Sequence, residues 1–578
     1  MFHNKFIRFL VRKEKAVFLV LMLALFLASS ASMYNKSVAG DERCYIGQGL
    51  YLFKTGNFKT DGFIYHAPLS YYINSIFLIP LNIKVDTWDK DSCWDIGNDI
   101  IFHSNYNHKL IVFLSRLPFI FIAIILGFYV FKWAKELYGT LAGLFSLTLY
   151  SFSQNIIANS TIVMTDFVSV AFMFIALYYF WKYIKHQKIS SVIITGIFVG
   201  FSLLSKLSGI YIFPVLLLLS LSKNMKLLFA RFTKIIIITL ITFFIIFLGY
   251  GFKIGTVASA YPDHYDKRVH EVIDEKFKGS ETLLNGFYVL YEKVPFPAPT
   301  YLAMIGDVAF SSIEGRNGYL LGEISKPGAK WWYYFIVVFV VKSTLGFLML
   351  LALSFIFFSR CRKNLINEMF LIVPSIFIFV VFSLNQFSFD LRHILLIYPL
   401  MFVFVSKLVN LKIKNQKLYF VILFIPLTLH IVSSLLAFPN YSSYFNELVG
   451  KGNGYKVMLG PDADTGSELI NLKKFMDKNG IKKIYFSYHG SVDPKKYGIN
   501  YTYLPSTPFL FWGPEYKLYK KDYSDVFEDC SKKHGWIAIS VTNLKGRFLN
   551  NHSCFRWLEN EQPVAKIGNS IFVYNITK

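Results

Sequence analysis

Apolar residues in this chain come in long unbroken runs instead of alternating with polar ones. The first, from Ala16 to about Met33, follows a basic N-terminus, Met1–Lys15. Such runs approach the roughly 20 residues an α-helix needs to cross a bilayer. They predict transmembrane helices at 16–33, 110–131, 138–155, 163–181, 190–204, 207–222, 235–252, 332–356, 368–384, 392–406 and 418–436, about 11 in all. The piece Leu69–Leu81 is shorter and holds Tyr71, Tyr72 and Asn74. It predicts an interfacial helix lying on the membrane. The first run could also be read as a signal peptide, with Ala28-Ser29-Ser30-Ala31-Ser32 as small residues for cleavage. It is long for that role, so an uncleaved first helix is preferred.

After residue 436 the pattern changes. Short β-like runs, Ile484–Tyr488 and Trp536–Ser540, accompany an amphipathic stretch from Ser467 to Lys478. They predict a small α/β domain. The expected architecture is a polytopic α-helical membrane protein, residues 1–436, with a C-terminal α/β domain, residues 437–578. No solenoid-type repeat is visible.

Composition agrees: 54% of residues are hydrophobic and the mean hydropathy is +0.43, which excludes an ordinary soluble protein. The net charge of +24 would suggest a nucleic-acid partner in a soluble chain. Its distribution gives it another meaning. With the N-terminus in the cytoplasm, the cytoplasmic segments are 1–15, 132–137, 182–189, 223–234, 357–367 and 407–417. Of their 63 residues 21 are Lys or Arg, and Glu14 and Glu136 are the only acids. This follows the positive-inside rule at every loop. Counting 69–81 as a span would invert every later loop and break the rule. The basic charge is topogenic, and nucleic acid is dropped as a partner.

The outer side then receives 34–109, about 156–162, 253–331, 385–391 and the tail 437–578. Cys44, Cys93, Cys530 and Cys554 fall outside and Cys361 inside. An oxidising outer side permits disulfides. Proximity in sequence pairs Cys44 with Cys93 and Cys530 with Cys554, with free thiols as the alternative. No CxxC or Cys/His zinc pattern is present.

This topology gathers charge on one face. Asp41-Glu42 lies just beyond the first span; in a soluble loop it would be an ordinary solvated pair. Arg116, Asp166, Lys206 and Arg392-His393 fall at or near the same outer boundary, where ionisable residues are expensive and commonly functional. Lys342 lies deeper: ten residues from Trp332 at about 1.5 Å each put it roughly 15 Å down. Any one of these could be a snorkelling side chain or an ion pair. Together they offer carboxylates for proton removal and cations for a lipid-linked phosphate.

At these residues the chain resembles the GT-C membrane glycosyltransferases, in the family of protein O-mannosyltransferases and the lipid A aminoarabinose transferase, within its bacterial and archaeal phospholipid-carrier-dependent branch. The pieces that carry the resemblance run nearly end to end. They are Asp41-Glu42; His66-Ala67-Pro68-Leu69; Ser115-Arg116-Leu117-Pro118; Leu137-Tyr138-Gly139; Thr165-Asp166; Leu204-Ser205-Lys206; Tyr319-Leu320-Leu321-Gly322-Glu323; Trp332-Tyr333-Tyr334-Phe335; Lys342-Ser343-Thr344; Arg392-His393-Ile394-Leu395 with Tyr398-Pro399; and Tyr444-Phe445-Asn446-Glu447-Leu448.

The resemblance implies a GT-C fold with its active site outside. It implies inverting transfer of a sugar from a polyprenyl phosphate, undecaprenyl or dolichyl, to a protein, lipid or glycan acceptor. Asp41 is then the general base, Glu42 its helper, and Asp166 a positioner of acceptor or of a divalent cation. Arg116, Lys206, Lys342, Arg392 and His393 hold donor phosphate, and His66 is a candidate metal ligand. Two departures stand out. Relatives follow Asn-Glu-Leu with Asp-Ser-Asn-x-Asp-Trp-Gly-Gln-Asp, whereas this chain has Gly460-Pro461-Asp462-Ala463-Asp464-Thr465-Gly466-Ser467-Glu468. Phe389-Asp390 also precedes Arg392 where small residues are commoner. The competing readings are a transporter or flippase of lipid-linked sugar, disfavoured by the lack of paired halves, and a silent envelope-assembly scaffold.

Overall fold

A computed structural model of the protein describes residues 9–221, 224–262, 269–271, 273–275, 279–314, 317–326, 331–361, 364–384, 390–413, 415–506 and 529–577. Phe389 lies outside them. The chain forms two compact units. One comprises Met1–Glu42, Phe119–Ile162 and Gly315–Lys578; the other comprises Arg43–Pro118 and Val163–Glu314.

Among the described residues six helices are long and apolar enough to cross a membrane: Glu14–Tyr34, His108–Tyr138, Thr165–His186, Met225–Gly249, Leu365–Leu384 and Gln416–Ala437. Two bent pairs raise this to eight if each is one span: Thr140–Ser151 with Gln154–Ser160, bent 61°, and Tyr334–Lys342 with Leu345–Ile356, bent 114°. The shorter apolar helices Ile189–Ser205, Leu207–Ser220 and Ile397–Asn410 fall on the other predicted spans. Leu69–Leu81 is helical only over Leu69–Ser75.

The break at Ser343 differs from the single helix predicted over 332–356, and hydrogen bonding explains it. A helix that stops among apolar residues must find partners for its last carbonyls. Asn155 Nδ2 donates to Lys342 O at 2.9 Å, and Asn446 Nδ2 donates to Val340 O at 2.7 Å and Ser343 O at 2.9 Å. Thr344 starts the next helix, its hydroxyl accepting Phe347 N–H. That hydroxyl also bonds His430 Nδ1 at 2.7 Å, while His430 Nε2 donates to Leu149 O at 2.9 Å. Apart from the cap at Phe347, these partners lie 86 to 281 residues apart in sequence, so a window of hydropathy cannot register them.

In the same unit Glu368 and Lys407 form a fully buried ion pair at 3.2 Å, with Tyr138 Oη donating to Glu368 at 2.9 Å. The Lys407 ammonium also lies 3.5 Å from the centre of the Phe404 ring. The pair therefore sits in apolar surroundings only with its polar valences met.

The other unit packs Ile189–Ser205 between Thr165–His186 and Met225–Gly249. A Cβ on Gly196 or Gly200 would lie 2.9 or 2.6 Å from Ile241 or Ile245. These small residues, four apart, let the backbones approach. This unit also holds the short helices Gln48–Thr55, Asp61–Tyr65 and Cys93–Asn98, the disulfide Cys44–Cys93, and a two-stranded ribbon, β1 (Ile254–Gly255) with β2 (Phe296–Pro297).

A hairpin, β3 (Tyr319–Leu320) with β4 (Glu323–Ile324), precedes the bent pair. The tail forms a five-stranded sheet from β5 (Ile484–Ser487), β6 (Tyr501–Tyr503), β7 (Gly535–Ser540), β8 (Ala565–Ile567) and β9 (Ile571–Ile576). Their spatial order is β6-β5-β7-β9-β8, with β5 parallel to β6 and β7 and the other pairs antiparallel. Alternation sends Phe486, Ala538 and Val573 to one face, under the helix Leu469–Lys478, and Ile537, Ile539, Phe572 and Tyr574 to the other, under residues 541–558. The second disulfide, Cys530–Cys554, closes that latter segment, and Cys361 is a buried free thiol.

Candidate functional site

The segment that delivers Asp41 is held by the tail. Ser37 N donates to Ser467 O and Gly40 N to Thr465 O, both at 2.9 Å. Leu469 N donates to Ser37 Oγ at 3.2 Å, Val38 N to Tyr497 Oη at 3.0 Å, and Ser491 Oγ to Gly40 O. Lys36 pairs with Glu468 and donates to Asn440 Oδ1 at 2.7 Å. Backbone bonds repeated at residues 37 and 40 fix the approach to Asp41 without using its side chain.

The two neighbouring carboxylates then differ. Glu42 is buried, and its Oε2 accepts Ala39 N at 2.8 Å, closing the turn from which its short helix starts. Asp41 is half-buried and makes no side-chain hydrogen bond or ion pair among the described residues.

Arg392 and His393 lie on the turn Leu391–Ile394. Arg392 Nη2 is 3.2 Å from Asp390 Oδ2, and the His393 ring lies 5.2 Å from Phe382. Lys342 ends its helix buried, and its ammonium is not left bare in the apolar region. Nζ donates to Ser442 O at 2.9 Å and Asp462 O at 2.7 Å and lies 4.5 Å from the Phe445 ring centre. Asp41, Glu42, Lys342, Arg392 and His393 all belong to the first unit.

His66, Arg116, Asp166 and Lys206 belong to the second. Asp166, in the first turn of Thr165–His186, is buried and pairs with Lys206, so two residues expected to take different substrate groups neutralise each other. Arg116 is buried inside His108–Tyr138, two residues before Pro118. His66 Nε2 is 2.9 Å from Tyr45 Oη. No group of three or more His, Cys, Asp or Glu capable of holding a metal is found among the described residues.

Several residues around the site were not read from the sequence as functional. Asp462 stood only as part of a departure, yet its carboxylate accepts Leu391 N at 2.7 Å. Arg547, in the tail, is buried and donates from Nε to Asn317 O at 3.0 Å and from Nη1 to Leu459 O at 2.8 Å. Asp464 is buried, with Oδ1 accepting Gly466 N at 3.1 Å; burial pushes its carboxyl up to about 7, and bonds from Gly466 and Thr542 offset this only in part. His489 is pushed down to about 3 by burial and by the Arg547 charge. No local motif marks these groups, because each acquires its role from a partner distant in sequence.

Residues 112–250, which include Arg116, Asp166 and Lys206, match the family described as dolichyl-phosphate-mannose-protein mannosyltransferase. The match supports, over this stretch, a likeness to GT-C mannosyltransferases. The resemblance read from the motifs therefore stands. The chain is also similar to ArnT from Cupriavidus metallidurans bound to undecaprenyl phosphate, at 10% identity over 96% of this chain and 97% of that one, with a TM-score of 0.47. It is similar to the apo oligosaccharyltransferase of Archaeoglobus fulgidus at 12% identity over 75% of this chain and 56% of that one, with a TM-score of 0.44. No curated protein matches the sequence. The matched stretch covers three of the candidate residues; Asp41, Glu42, His66, Lys342, Arg392 and His393 lie outside it.

Proposed function

We propose that this protein is an inverting glycosyltransferase that moves a sugar from a polyprenyl-phosphate carrier to an acceptor hydroxyl at the outer face of the membrane. The observation that carries the reading is the division of labour in Asp41-Glu42. Glu42 is committed to the local turn, while Asp41 beside it is accessible and uncommitted. A general base must be free to receive a proton and be held in place by something other than its own carboxylate. Asp41 takes the acceptor hydroxyl proton as that oxygen attacks the anomeric carbon. The sugar–phosphate bond breaks on the opposite face, and the polyprenyl phosphate leaves with its charge. The family match supports a lipid-phosphate donor.

Arg392 is the first-unit cation assigned to that phosphate, since Lys342 already donates to two carbonyls. Within the second unit Arg116 is kept as a candidate for donor phosphate, while Lys206 and Asp166 pair with each other; in the first unit His393 is assigned to support of Arg392. Among the described residues no cluster around His66 recommends a metal. We infer eleven spans over residues 1–436, with the N-terminus in the cytoplasm and residues 437–578 outside as an extracytoplasmic domain.

The test is sugar release from a radiolabelled polyprenyl-phosphate sugar by the purified protein, wild type beside Asp41→Asn. The variant is expected to lose at least about a hundredfold, the lower range for removal of a general base. Equal turnover by both would remove Asp41 as base and leave the transfer reading without its mechanism.

A further inference from the structure

We propose that Asp462 is a positioning residue of the transfer site, holding the turn that carries Arg392 to the helix that ends at Lys342. The proposal rests on the reading that Arg392 binds donor phosphate. Asp462 is buried and acts through two atoms. Its carboxylate accepts Leu391 N at 2.7 Å, at the start of the turn, and its carbonyl accepts Lys342 Nζ at 2.7 Å. One residue of the tail thereby links two of the motifs assigned to the donor.

The turn needs such a restraint. Asp390 stands at φ 46°, ψ 142°, a backbone region that residues with a Cβ rarely occupy and keep only when their surroundings enforce it. Asp390 is also the ion-pair partner of Arg392, so its backbone sets where the guanidinium points. The tail loop comes close to it. Gly460 has φ +96°, and a Cβ there would lie 2.8 Å from Arg547 Nη1 and 3.3 Å from Asp390 Oδ1. The loop is closed on itself by Ala463 N and Asp464 N, which donate to Gly460 O at 2.9 and 2.7 Å, and it is anchored by Arg547 on Leu459 O.

The same stretch continues into Thr465 and Ser467, whose carbonyls hold Gly40 and Ser37. Residues 462–467 therefore grip the turn of Arg392 at one end and the approach to Asp41 at the other. In this chain the altered motif serves the site by setting the backbone on which its base and its phosphate ligand stand.

The experiment uses the full-length protein in phosphatidylethanolamine–phosphatidylglycerol nanodiscs, with undecaprenyl phosphate as the probe and hydrogen exchange read over residues 390–396. Asp462→Ala is expected to speed exchange across the turn and weaken undecaprenyl phosphate binding about tenfold, the order of one buried charge-assisted hydrogen bond. Asp462→Asn keeps an acceptor oxygen for Leu391 N and is expected to bind within about twofold of wild type. If Asp462→Ala does not accumulate, Asp462→Glu replaces it; that variant keeps the charge but misplaces the oxygen, and should bind weakly where Asp462→Asn does not. Arg392→Ala separates the two levels of the argument. Unchanged binding in Arg392→Ala removes the donor reading. Weak binding in Arg392→Ala beside wild-type binding in Asp462→Ala overturns the positioning role, as does an equal defect in Asp462→Ala and Asp462→Asn.

Discussion

Asp41, half-buried, and Asp464, buried, illustrate how environment decides what a carboxylate does. Asp41 keeps its carboxylate out of local hydrogen bonds because Glu42 and the tail's carbonyls hold the backbone. Asp464, next to Thr465, is fully enclosed, and burial raises it from 3.8 to about 7, with Glu468 adding to the rise. Its folded form thus holds a proton that the unfolded chain has released. Stability from this group is complete below pH 3.8, falls as pH rises through about 7, and is fully lost above that. The span of about three units corresponds to at most ~4 kcal/mol. Asp464→Asn is expected to flatten that dependence and to melt higher than wild type at pH 8, while matching it near pH 4; parallel melting curves for the two proteins across pH 4–8 would show that Asp464 does not titrate as argued. The pair Asp41-Glu42 was legible in the sequence because adjacent acids beside a span are conspicuous. The weight carried by Asp464 was not, since only the folded tail removes it from water.

At the level of elements, long apolar helices were legible and their interruptions were not. Hydropathy sums side chains over a window, and Phe339–Leu353 reads the same whether the helix is straight or turns 114° at Ser343. The turn depends on Asn155 and Asn446, polar residues outside that window. The contact of Ile189–Ser205 with Met225–Gly249 was not read from the sequence: small residues four apart favour close packing, but they do not name the partner helix. Gly200 meets Ile245 so closely that any Cβ must displace backbone or a β-branched side chain. Gly200→Ala should therefore lower the melting temperature of the purified protein by several degrees, consistent with about 1–3 kcal/mol for overpacking. Gly286→Ala provides the comparison, because a Cβ there meets nothing within 4 Å and the helix Glu281–Glu292 gains propensity. Equal melting shifts in both variants would mean that helix propensity, not interhelical contact, governs position 200.

For the whole molecule, sidedness was read from loop charge alone, and every functional assignment inherits it. Asp41 and Arg392 can serve an outer-face donor only if the tail that holds them lies outside, and the tail's disulfide Cys530–Cys554 fits an oxidising compartment. The inference can be tested directly, because Cys361 is buried and the other four cysteines are paired. A single introduced thiol should then dominate labelling of intact cells by a membrane-impermeant maleimide. Lys473→Cys places it on the outer surface of the helix Leu469–Lys478, and Gln187→Cys places it at the exposed end of Thr165–His186. Loop charge predicts that Lys473→Cys reacts in intact cells and that Gln187→Cys reacts only after permeabilisation. The opposite pattern would put Asp41 on the cytoplasmic side and the twenty-one basic residues of the six short segments outside, against the positive-inside rule, and the carrier-linked donor would have to be sought on the inner leaflet. Reaction of both thiols in intact cells would instead break the span count between residues 187 and 473, and the first segments to re-examine would be the short helices Leu207–Ser220 and Ile397–Asn410, the least able by length to cross alone.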